Sequence, residues 1–434
     1  MTAPVPPSIA SPSAASASVT SLSVAAARAP TASGVRQFAP LIWLALGTFA
    51  TGTESFMIAA LLPGLARDLS VTLTAAGQLM TVFGLTYAVS SPVLSALTAG
   101  IGRRNLLLAS MTAFALANFF ASTATGFWQL LAARVLLAAA AGLYVPSASA
   151  LAGAVVTPDR RGTALAIVNG GTSIAVALGV PLGAMIGHTL GWRMTFVGVG
   201  IMASIAVAGL LLGISRGIDK GLTAPSIRER LNVVRQVPLL IGFLLTTLWA
   251  TGAYVVYTYF SPFLTAVTGI DGSHVGIAFF LWGVSAVGGL FLGGPLSDRF
   301  GSRAVMIPAL SLLTLAFVGL SVTGLYLSGT SALVSVVIAI VIWGLTAWSF
   351  FPAQQSRLMQ VAGLKIAPIA LSLNASFMYL GFSLGAMLGS MTLLHAPLTA
   401  LGLVGAVCEV AALLIVLPTV PSRRAVECTV GKIA

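Results

Sequence analysis

The sequence has very little charge. Only 7% of its 434 residues are Asp, Glu, Lys or Arg, whereas about a quarter of the residues in a typical soluble domain are charged. Hydrophobic residues make up 58% of the chain. So few charges cannot cover the surface of a soluble protein of this length, so the composition indicates an integral membrane protein.

Cysteine and histidine are also scarce. Cys408 lies inside an apolar run and Cys428 in a polar tail, so the pair does not indicate a disulfide. His188, His274 and His395 are far apart in sequence and are expected in or near external loops. The sequence contains no metal-spaced His/Cys set, no Walker-type phosphate loop and no nucleophile elbow. We therefore expect no metal, no cofactor, no ATP-driven transport and no enzyme activity.

Acidic residues are outnumbered by basic ones, and the formal net charge is +12. A basic protein can bind nucleic acid, but here the arginines are dispersed in pairs between apolar runs and do not form one basic face. This spacing is typical of short loops between membrane segments. We therefore expect the lipid bilayer, and no nucleic acid, as a partner of the chain.

Twelve apolar segments are long enough to cross a bilayer, which takes roughly 20 helical residues. Residues 1–36, rich in Ala, Ser, Pro and Thr, show no periodicity and are expected to be disordered. The first apolar run begins too late, and is too long, for a cleaved signal peptide. We predict an all-α integral membrane fold with twelve transmembrane helices at about 38–62, 75–97, 105–124, 127–151, 163–188, 192–214, 238–263, 274–296, 304–326, 332–354, 368–392 and 397–420.

The basic residues predict the orientation of these segments. If both termini are cytoplasmic, eighteen of the 21 Lys and Arg residues fall on the cytoplasmic side, where basic residues accumulate. Arg67 and Arg193 fall on the other side, and Arg134 lies within a segment. We therefore expect the N- and C-termini in the cytoplasm and the chain in a cell membrane.

Short sequence patterns in the first half of the chain recur in the second half. Residues 182–187 (Leu-Gly-Ala-Met-Ile-Gly) recur as residues 384–389 (Leu-Gly-Ala-Met-Leu-Gly), an offset of 202. Gly102-Arg103-Arg104 is echoed by Gly301-Ser302-Arg303 at an offset of 199. Two pairs at nearly one offset indicate a duplicated six-helix unit, which predicts two six-helix bundles in parallel repeat. The expected divisions are a tail at 1–36, a bundle at 37–214, a basic cytoplasmic linker at 215–237, a bundle at 238–420 and a tail at 421–434.

A polar motif at residues 293–303 joins the eighth and ninth segments. Its pattern Gly294-x-Leu296-Ser297-Asp298-Arg299-x-Gly301-x-Arg303 resembles the loop signature of the major facilitator superfamily. Further matches place the chain near the twelve-helix efflux members, the arabinose-efflux and chloramphenicol-resistance permeases. They are residues 53–56 with 61–69, residues 179–183 with 191–193 and Phe196, and residues 257–264. The resemblance covers about residues 40–420.

The resemblance implies a secondary transporter that works by alternating access. It implies export of a small organic molecule, a drug such as chloramphenicol or a sugar or related metabolite, in exchange for protons, by a monomer. Twelve helices with cytoplasmic termini serve uptake equally well, so a proton-coupled importer stays open. A membrane sensor or scaffold that does not transport is a remote alternative, because neither tail is long enough for an obvious output domain.

The sequence departs from the family pattern in its first half. Ala99 stands where the family has an acid, so a latch that needs that carboxylate is doubtful there. Arg134 fits the family's arginine position, but Leu137 and Ala138 replace the usual Gln-Gly pair.

Glu54 is the foremost candidate for proton coupling, because an ionisable residue within a membrane helix is costly and usually faces a cavity or a partner. Burial disfavours its charged form, which would let it exchange protons near neutral pH. Glu54 and Arg134 lie eight and seven residues from the outer ends of their segments, so both sit about 10–12 Å deep. We expect Arg134 to bias the protonation of Glu54, directly or through water; structural roles for both stay open. Glu409 is expected to be a packed, protonated or idle side chain.

Four residues are candidates for lining a substrate cavity. Tyr254 and Tyr257 lie away from the end of the seventh segment, although Tyr also anchors helices at membrane interfaces. Asn169 and Asn374 lie in the cytoplasmic halves of the fifth and eleventh segments. They would either orient a polar substrate or form hydrogen bonds between helices.

Two further groups are candidates for conformational control. The resemblance implies that Asp298, with Arg299 and Arg303, holds the cytoplasmic side closed, while Gly294 and Gly301 allow close packing and a tight turn. Plain membrane anchoring by the arginines is the alternative. Glycines of the fifth segment allow tight helix packing, and the resemblance adds a hinge. The first-half counterparts of the motif are Gly102, Arg103 and Arg104, and the hinge candidates are Gly179, Pro181 and Gly183.

Overall fold

The computed structural model describes residues 34–157, 160–214, 226–270 and 272–419, and all regular structure within these ranges is helical. Twelve helices of the described chain are long and apolar enough to cross a membrane, as predicted. They are α1 (Gly34–Asp68), α2 (Leu73–Leu97), α3 (Arg103–Ser122), α4 (Phe127–Ala154), α5 (Arg161–Thr189), α6 (Trp192–Gly213), α7 (Val237–Thr258), α8 (Gly272–Phe300), α9 (Ser302–Tyr326), α10 (Gly329–Gly363), α11 (Lys365–His395) and α12 (Ala400–Thr419). The expected tail at 421–434, nearly all of the expected tail at 1–36, and residues 215–225 of the linker lie outside the described residues.

The described residues from Ala39 to Thr419 form one compact unit. Within it α7 packs against α11 and α12, and α8 packs against α10. Glycines at these contacts bring helix backbones together: a Cβ on Gly385 of α11 would lie 2.5 Å from the carbonyl oxygen of Thr251 in α7. Small residues at helix crossings supply the close van der Waals packing that membrane helices depend on.

Helix α5 is not a regular α-helix. Its central turn, Ala175–Gly179, is π-helical, and Pro181 follows within two residues. Proline removes a backbone donor, and a π-turn is a common way to absorb the resulting disruption. Gly179 of this helix faces Thr53 of α1, and Gly183 faces both Thr195 of α6 and Met57 of α1. These two glycines therefore pack tightly against α1 and α6.

The connection between the tenth and eleventh predicted segments is helical, contrary to the sequence prediction of a loop. Helix α10 continues to Gly363, which has φ 69° and ψ 164°, and α11 begins at Lys365. Glycine adopts positive φ without a steric penalty, so one residue suffices to separate the two helices. Arg357 consequently lies within α10 and is only 7% exposed, not in a solvated loop.

The predicted linker contains a short helix, Ile227–Val234. Ser226 caps it, and hydrogen bonds from the backbone and side chain of Ser226 lower the pKa of Glu229. Val233 packs in a core cluster with Phe243 of α7 and Leu358 of α10. This part of the linker is therefore folded against the second half of the chain.

The polar motif at 293–303 is mostly helical. Helix α8 runs to Phe300, and the turn consists of Gly301 alone, with φ 86°. Ser297 and Ser302 hydrogen bond across this turn at 3.1 Å. In this conformation a Cβ on Gly294 would meet no atom within 4 Å, so the close packing expected there for a closed cytoplasmic side stays a prediction. Its neighbour Gly293 makes the close contact, against Ser349 and Pro352 of α10.

Candidate functional site

A buried ion pair lies between α1 and α4. The guanidinium of Arg134 donates a hydrogen bond to the carboxylate of Glu54, and both side chains are 0% exposed. Arg134 also donates to the carbonyl oxygens of Leu79, at 3.2 Å, and of Glu54, at 3.4 Å. Its guanidinium lies 4.1 Å from the ring centroid of Phe83. The two residues that the sequence placed at one depth are therefore in direct contact, and Arg134 connects α1, α2 and α4.

Two polar atoms of this ion pair lack a hydrogen-bond partner. Among the described residues, Glu54 Oε2 and Arg134 Nη2 have no hydrogen-bond partner although both atoms are buried. Removing two charges from water costs several kcal/mol per ion, and only good geometry with further hydrogen bonds offsets it. The second carboxylate oxygen is thus available to bind a proton, which would neutralise Glu54 and weaken its attraction to Arg134.

A small cavity of about 20 Å³, room for about one water molecule, lies near this pair in this conformation. Its wall is almost entirely aromatic and contains no charged side chain. The wall is drawn from α1, α7, α8, α10 and α11. We call it the aromatic cavity; its lining residues are Phe56, Trp249, Ala253, Tyr254, Tyr257, Trp282, Trp343, Ala347, Trp348 and Phe382.

A smaller cavity, too small to hold a water molecule in this conformation, separates the aromatic cavity from the ion pair. Arg134 lines it, together with Ser55 and Tyr379. Tyr254 and Phe382 line both cavities, and their rings stack with centroids 3.7 Å apart. A single aromatic layer therefore stands between a candidate ligand site and the Glu54–Arg134 pair.

The structure places Tyr254 and Tyr257 in the wall of the aromatic cavity. The Tyr257 hydroxyl donates to the carbonyl oxygen of Phe56 in α1 at 3.1 Å. Sequence reasoning did not nominate Trp282, Trp343 or Phe382. Within a uniformly apolar segment, no periodicity distinguishes a cavity-facing aromatic from a lipid-facing one.

Neither candidate asparagine lines the two cavities. Asn374 is buried, and its side-chain oxygen accepts a 2.7 Å hydrogen bond from Thr246 of α7. Gln354 of α10 donates to the same Thr246 hydroxyl at 3.1 Å. Asn169 is exposed and accepts a weak 3.4 Å hydrogen bond from Ser149. In this structure both asparagines bond to other helices.

The candidate gating residues lie at helix ends. Arg104 donates to the carbonyl oxygens of Ile214, at 2.6 Å, and Leu211, at 3.1 Å, and so caps the C-terminus of α6. Arg103 begins α3 directly after Gly102, and Arg303 lies in the first turn of α9. Asp298 and Arg299 are exposed, and the Arg299 guanidinium lies 5.1 Å from the ring of Phe300.

The first six and last six helices meet at one end of the bundle, where α1 ends. Ser383 of α11 donates to the carbonyl oxygen of Thr81 in α2 at 2.8 Å, and Gln78 donates to Ser390 at 3.2 Å. A Cβ on Gly283 of α8 would lie 2.7 Å from the Cα of Ala177 in α5. These contacts lie in the halves of α2, α5, α8 and α11 nearest that end. We call it the closed end.

A second ion pair, missed by sequence reasoning, joins helix ends at the closed end. Asp68 accepts hydrogen bonds from the Trp192 indole, at 2.9 Å, and from Arg193, at 2.5 Å. Arg193 also donates to the carbonyl oxygen of Ala124 at 2.8 Å. The sequence motifs contained all three side chains, but their pairing depends on the packing of α1 and α6.

Glu409 of α12 is buried against α7, with 0% exposure, and neither carboxylate oxygen has a hydrogen-bond partner among the described residues. Its Oε1 lies 2.5 Å from where a Cβ on Gly252 would be. It does not line either cavity. This is the packed arrangement that the sequence led us to expect.

We predict that Glu409→Met preserves transport and raises stability. Methionine has a similar length and no polar atom to desolvate, so the change should stabilise the protein by about 1–3 kcal/mol. The measurement is thermal unfolding of purified protein beside a transport assay. Loss of transport in a stable Glu409→Met variant would contradict a packing role.

Comparison with known proteins identifies the family. The profile of the Major Facilitator Superfamily matches residues 44–386 and 252–427. The MFS-type transporter YbcL of Bacillus subtilis is 30% identical over 84% of this chain and 91% of that relative. A chloramphenicol resistance protein of Streptomyces lividans is 34% identical over 63% of this chain and 70% of that relative.

The fold of the chain resembles that of a solved transporter structure. The crystal structure of a bacterial homologue of the human lysosomal transporter Spinster, in an inward-facing, unoccupied conformation, superposes with a TM-score of 0.67. It is 18% identical in sequence and covers 89% of this chain and 96% of that chain. The chain therefore belongs to the Major Facilitator Superfamily, and it is a multi-pass transporter of the bacterial cell membrane and not an enzyme.

Proposed function

We propose that this transporter exports a small organic molecule across the cell membrane in exchange for protons, as a monomer working by alternating access. The observation that carries the proposal is the buried Glu54–Arg134 pair, one aromatic layer away from the aromatic cavity. A membrane-embedded carboxylate beside a ligand site is the arrangement by which proton binding and solute binding can influence each other.

The coupling step follows from the contacts of the pair. When Glu54 binds a proton it becomes neutral, and Arg134 loses the charge that holds it. Arg134 contacts α2 through Leu79 and lines the smaller cavity with Tyr254, so its movement reaches the wall of the aromatic cavity. Conversely, a bound solute that displaces Tyr254 or Phe382 would move Arg134 and so change how readily Glu54 binds a proton. Reciprocity of this kind is required of any coupling between two binding sites.

The proposed movement is a rocking of two six-helix bundles, residues 37–214 and 238–420, about the aromatic cavity, with residues 215–237 as the linker. With both termini in the cytoplasm, the closed end faces outward, and this conformation is inward-facing. The π-helical turn at Ala175–Gly179, with Pro181 and Gly183 after it, is the proposed hinge of α5.

Asp298, with Arg299 and Arg303, is the proposed latch for the opposite, outward-facing state. We predict that Asp298→Asn slows transport while membrane insertion stays normal, because asparagine keeps the shape and removes the charge. Exposed charge pairs are worth at most about 1 kcal/mol, so we expect a two- to fivefold decrease. The measurement is initial transport rate per inserted protein. Ala99→Asp is the companion variant, since the first-half position lacks the acid and should not need it. Full activity of Asp298→Asn would remove the latch from the account.

The proposed function is tested by substrate-induced proton movement in proteoliposomes across a panel of antibiotics, sugars and nucleosides. An exchanger should move protons when a transported solute is added, and an uncoupler should abolish accumulation in everted vesicles. Export is supported by the name of the Streptomyces lividans relative. Cellular accumulation separates the directions: expression should lower the cellular content of the solute, and a rise would identify an importer. Solute movement without protons would contradict the exchange.

A further inference from the structure

One side chain of the second half reaches two helices of the first half. Tyr379 of α11 is buried, and its hydroxyl donates to the side-chain oxygen of Ser55 in α1 at 3.4 Å. Its ring stacks on that of Tyr87 in α2, with centroids 3.6 Å apart and planes 17° from parallel. Ser55 directly follows Glu54 in the chain. Tyr379 therefore joins the turn of α1 that carries the candidate proton site to both α2 and α11.

The hydrogen bond between Tyr379 and Ser55 has one direction. Ser55 Oγ already donates its single proton to the carbonyl oxygen of Thr51 at 2.7 Å. A serine hydroxyl has one donor and two acceptor sites, so Ser55 accepts the proton of Tyr379. At 3.4 Å the bond is long, so a small displacement of α1 near Glu54 is enough to break it.

Tyr379 and Arg134 share their surroundings. Both line the smaller cavity, which has no room for a water molecule. Both also lie against Phe83, whose ring centroid is 4.1 Å from the Arg134 guanidinium and 6.2 Å from the Tyr379 ring. Close-packed side chains transmit a displacement because no free space absorbs it. A movement of Arg134, when Glu54 binds a proton, therefore reaches Tyr379.

Tyr379 also lies where the backbones of α2 and α11 approach each other closely. A Cβ on Gly84 of α2 would lie 2.8 Å from the carbonyl oxygen of Tyr379 and 2.9 Å from the amide nitrogen of Ser383. One turn further along α11, Ser383 donates to the carbonyl oxygen of Thr81 in α2. Opening of the closed end has to separate these two helices. It must therefore remove Tyr379 from its contacts with the first half.

We propose that Tyr379 is a positioning residue for proton coupling. Its hydrogen bond to Ser55, together with its stack on Tyr87, makes the separation of α2 from α11 depend on whether Glu54 carries a proton. This inference rests on the proposed function, because it takes Glu54 as the proton site. It concerns the closed end alone and is tested without a solute or a gradient.

Glu54 is the group around Tyr379 that can titrate between about pH 5 and about pH 8. The other titratable side chains packed there are Tyr87 of α2, Arg134 of α4 and Tyr254 of α7. Tyrosine ionises near pH 10 and arginine above about pH 12 in water. Histidines at the ends of helices also titrate in this range, so the test compares variants that leave every histidine in place.

The test is electron–electron double resonance on purified protein in one detergent at pH 5 and at pH 8. Spin labels at Ser70→Cys and Leu394→Cys, two exposed positions at the closed end, report the separation of α2 and α11 once the native cysteines are replaced. The closed form gives a short distance and the open form a longer one. We expect the ratio of the two populations to change about tenfold between the two pH values, as for a proton that binds one form ten times more tightly than the other.

Tyr379→Phe removes the hydroxyl and keeps the stacked ring. It should reduce the pH-dependent change to about threefold or less, because one hydrogen bond accounts for a factor of about 2 to 10. Ser55→Ala removes the acceptor of the same bond and should have the same effect. Tyr144→Phe is the matched control. The Tyr144 hydroxyl also donates to α1, at the carbonyl oxygen of Leu44, but within the first half and away from both cavities, so the full change should remain.

The outcomes separate this inference from the proposed function. A pH-dependent change that Tyr379→Phe and Ser55→Ala reduce and Tyr144→Phe retains supports the inference; if no solute then moves protons in proteoliposomes, the exchange alone is contradicted. Substrate-induced proton movement by a protein whose closed end is the same at both pH values supports the exchange and overturns the inference. A change that Tyr379→Phe retains in full, or that Tyr144→Phe reduces equally, also overturns it.

Discussion

Glu54→Gln is expected to destabilise the protein by about 3–5 kcal/mol and to abolish gradient-driven transport. The substitution keeps the shape of the side chain and removes both its charge and its ability to exchange a proton. Arg134 is 0% exposed, and arginine stays charged in proteins. The variant therefore leaves an uncompensated charge in the interior of the bundle.

The reciprocal change, Arg134→Met, should be less damaging to stability, by about 1–3 kcal/mol. Glu54 can take up a proton when its partner is removed, because a carboxylic acid becomes neutral, whereas a guanidinium does not. The difference in stability loss between the two variants follows from the acid–base chemistry of the carboxyl and guanidinium groups, and not from the number of contacts that each side chain makes.

The double variant Glu54→Gln with Arg134→Met is the control for this comparison. It contains no buried charge at the site, so it should recover most of the stability that Glu54→Gln loses, and it should still lack gradient-driven transport. Thermal unfolding of the four proteins in one detergent gives the double-mutant cycle. Equal destabilisation by both single variants, with no recovery in the double variant, would show that the two residues act through packing alone.

Gly283→Ala is expected to open the closed end. Its new methyl group would meet the Val176 carbonyl oxygen and lie 2.7 Å from the Ala177 Cα, and backbone atoms cannot move aside as a flexible side chain can. Helices α5 and α8 must separate there, at a cost of about 1–3 kcal/mol to this conformation. A cost of about 1.4 kcal/mol changes an equilibrium tenfold, so the population should shift measurably towards the state that is open at this end.

Spin labels at Leu190→Cys and Ile270→Cys, with the two native cysteines replaced, measure this shift by electron–electron double resonance. The closed form gives one short distance, and Gly283→Ala should add a longer one. Gly276→Ala is the matched control on the same helix, because its methyl group would lie 3.6 Å from the Pro181 carbonyl oxygen, an ordinary contact. A distance distribution unaffected by Gly283→Ala would mean that α5 and α8 do not form the gate.

The sequence predicted the part of the site that depends on charge. In a chain with few charges, Glu54 and Arg134 were conspicuous within apolar segments, and helix rise placed them at one depth. The same scarcity made the count of twelve helices reliable, because each basic pair marks a connection. Arg357, which falls between the tenth and eleventh predicted segments, lies in a helix and not in a loop, because counting charges does not distinguish a loop from a helix that continues beyond the bilayer.

Only part of the wall of the aromatic cavity could be predicted from the sequence. Tyr254 and Tyr257 were candidates because they lie away from the end of the seventh predicted segment, but their neighbours Trp282 and Trp343 come from other helices. Which face of an apolar helix meets a cavity is decided by packing between helices and not by its own sequence. The contrast between Gly293 and Gly294 has the same origin: both are glycines, and only the position of α10 determines which one makes the close contact.

The most direct test of proton coupling through Glu54 compares two reactions of Glu54→Gln in proteoliposomes, with the transported solute of the panel as substrate. One reaction is accumulation driven by a pH gradient, and the other is exchange of labelled for unlabelled solute without a gradient. We predict that Glu54→Gln loses gradient-driven accumulation and retains exchange, because the solute site and the conformational change remain while the proton carrier is absent. Gradient-driven accumulation at the rate of the unmodified protein would contradict the account.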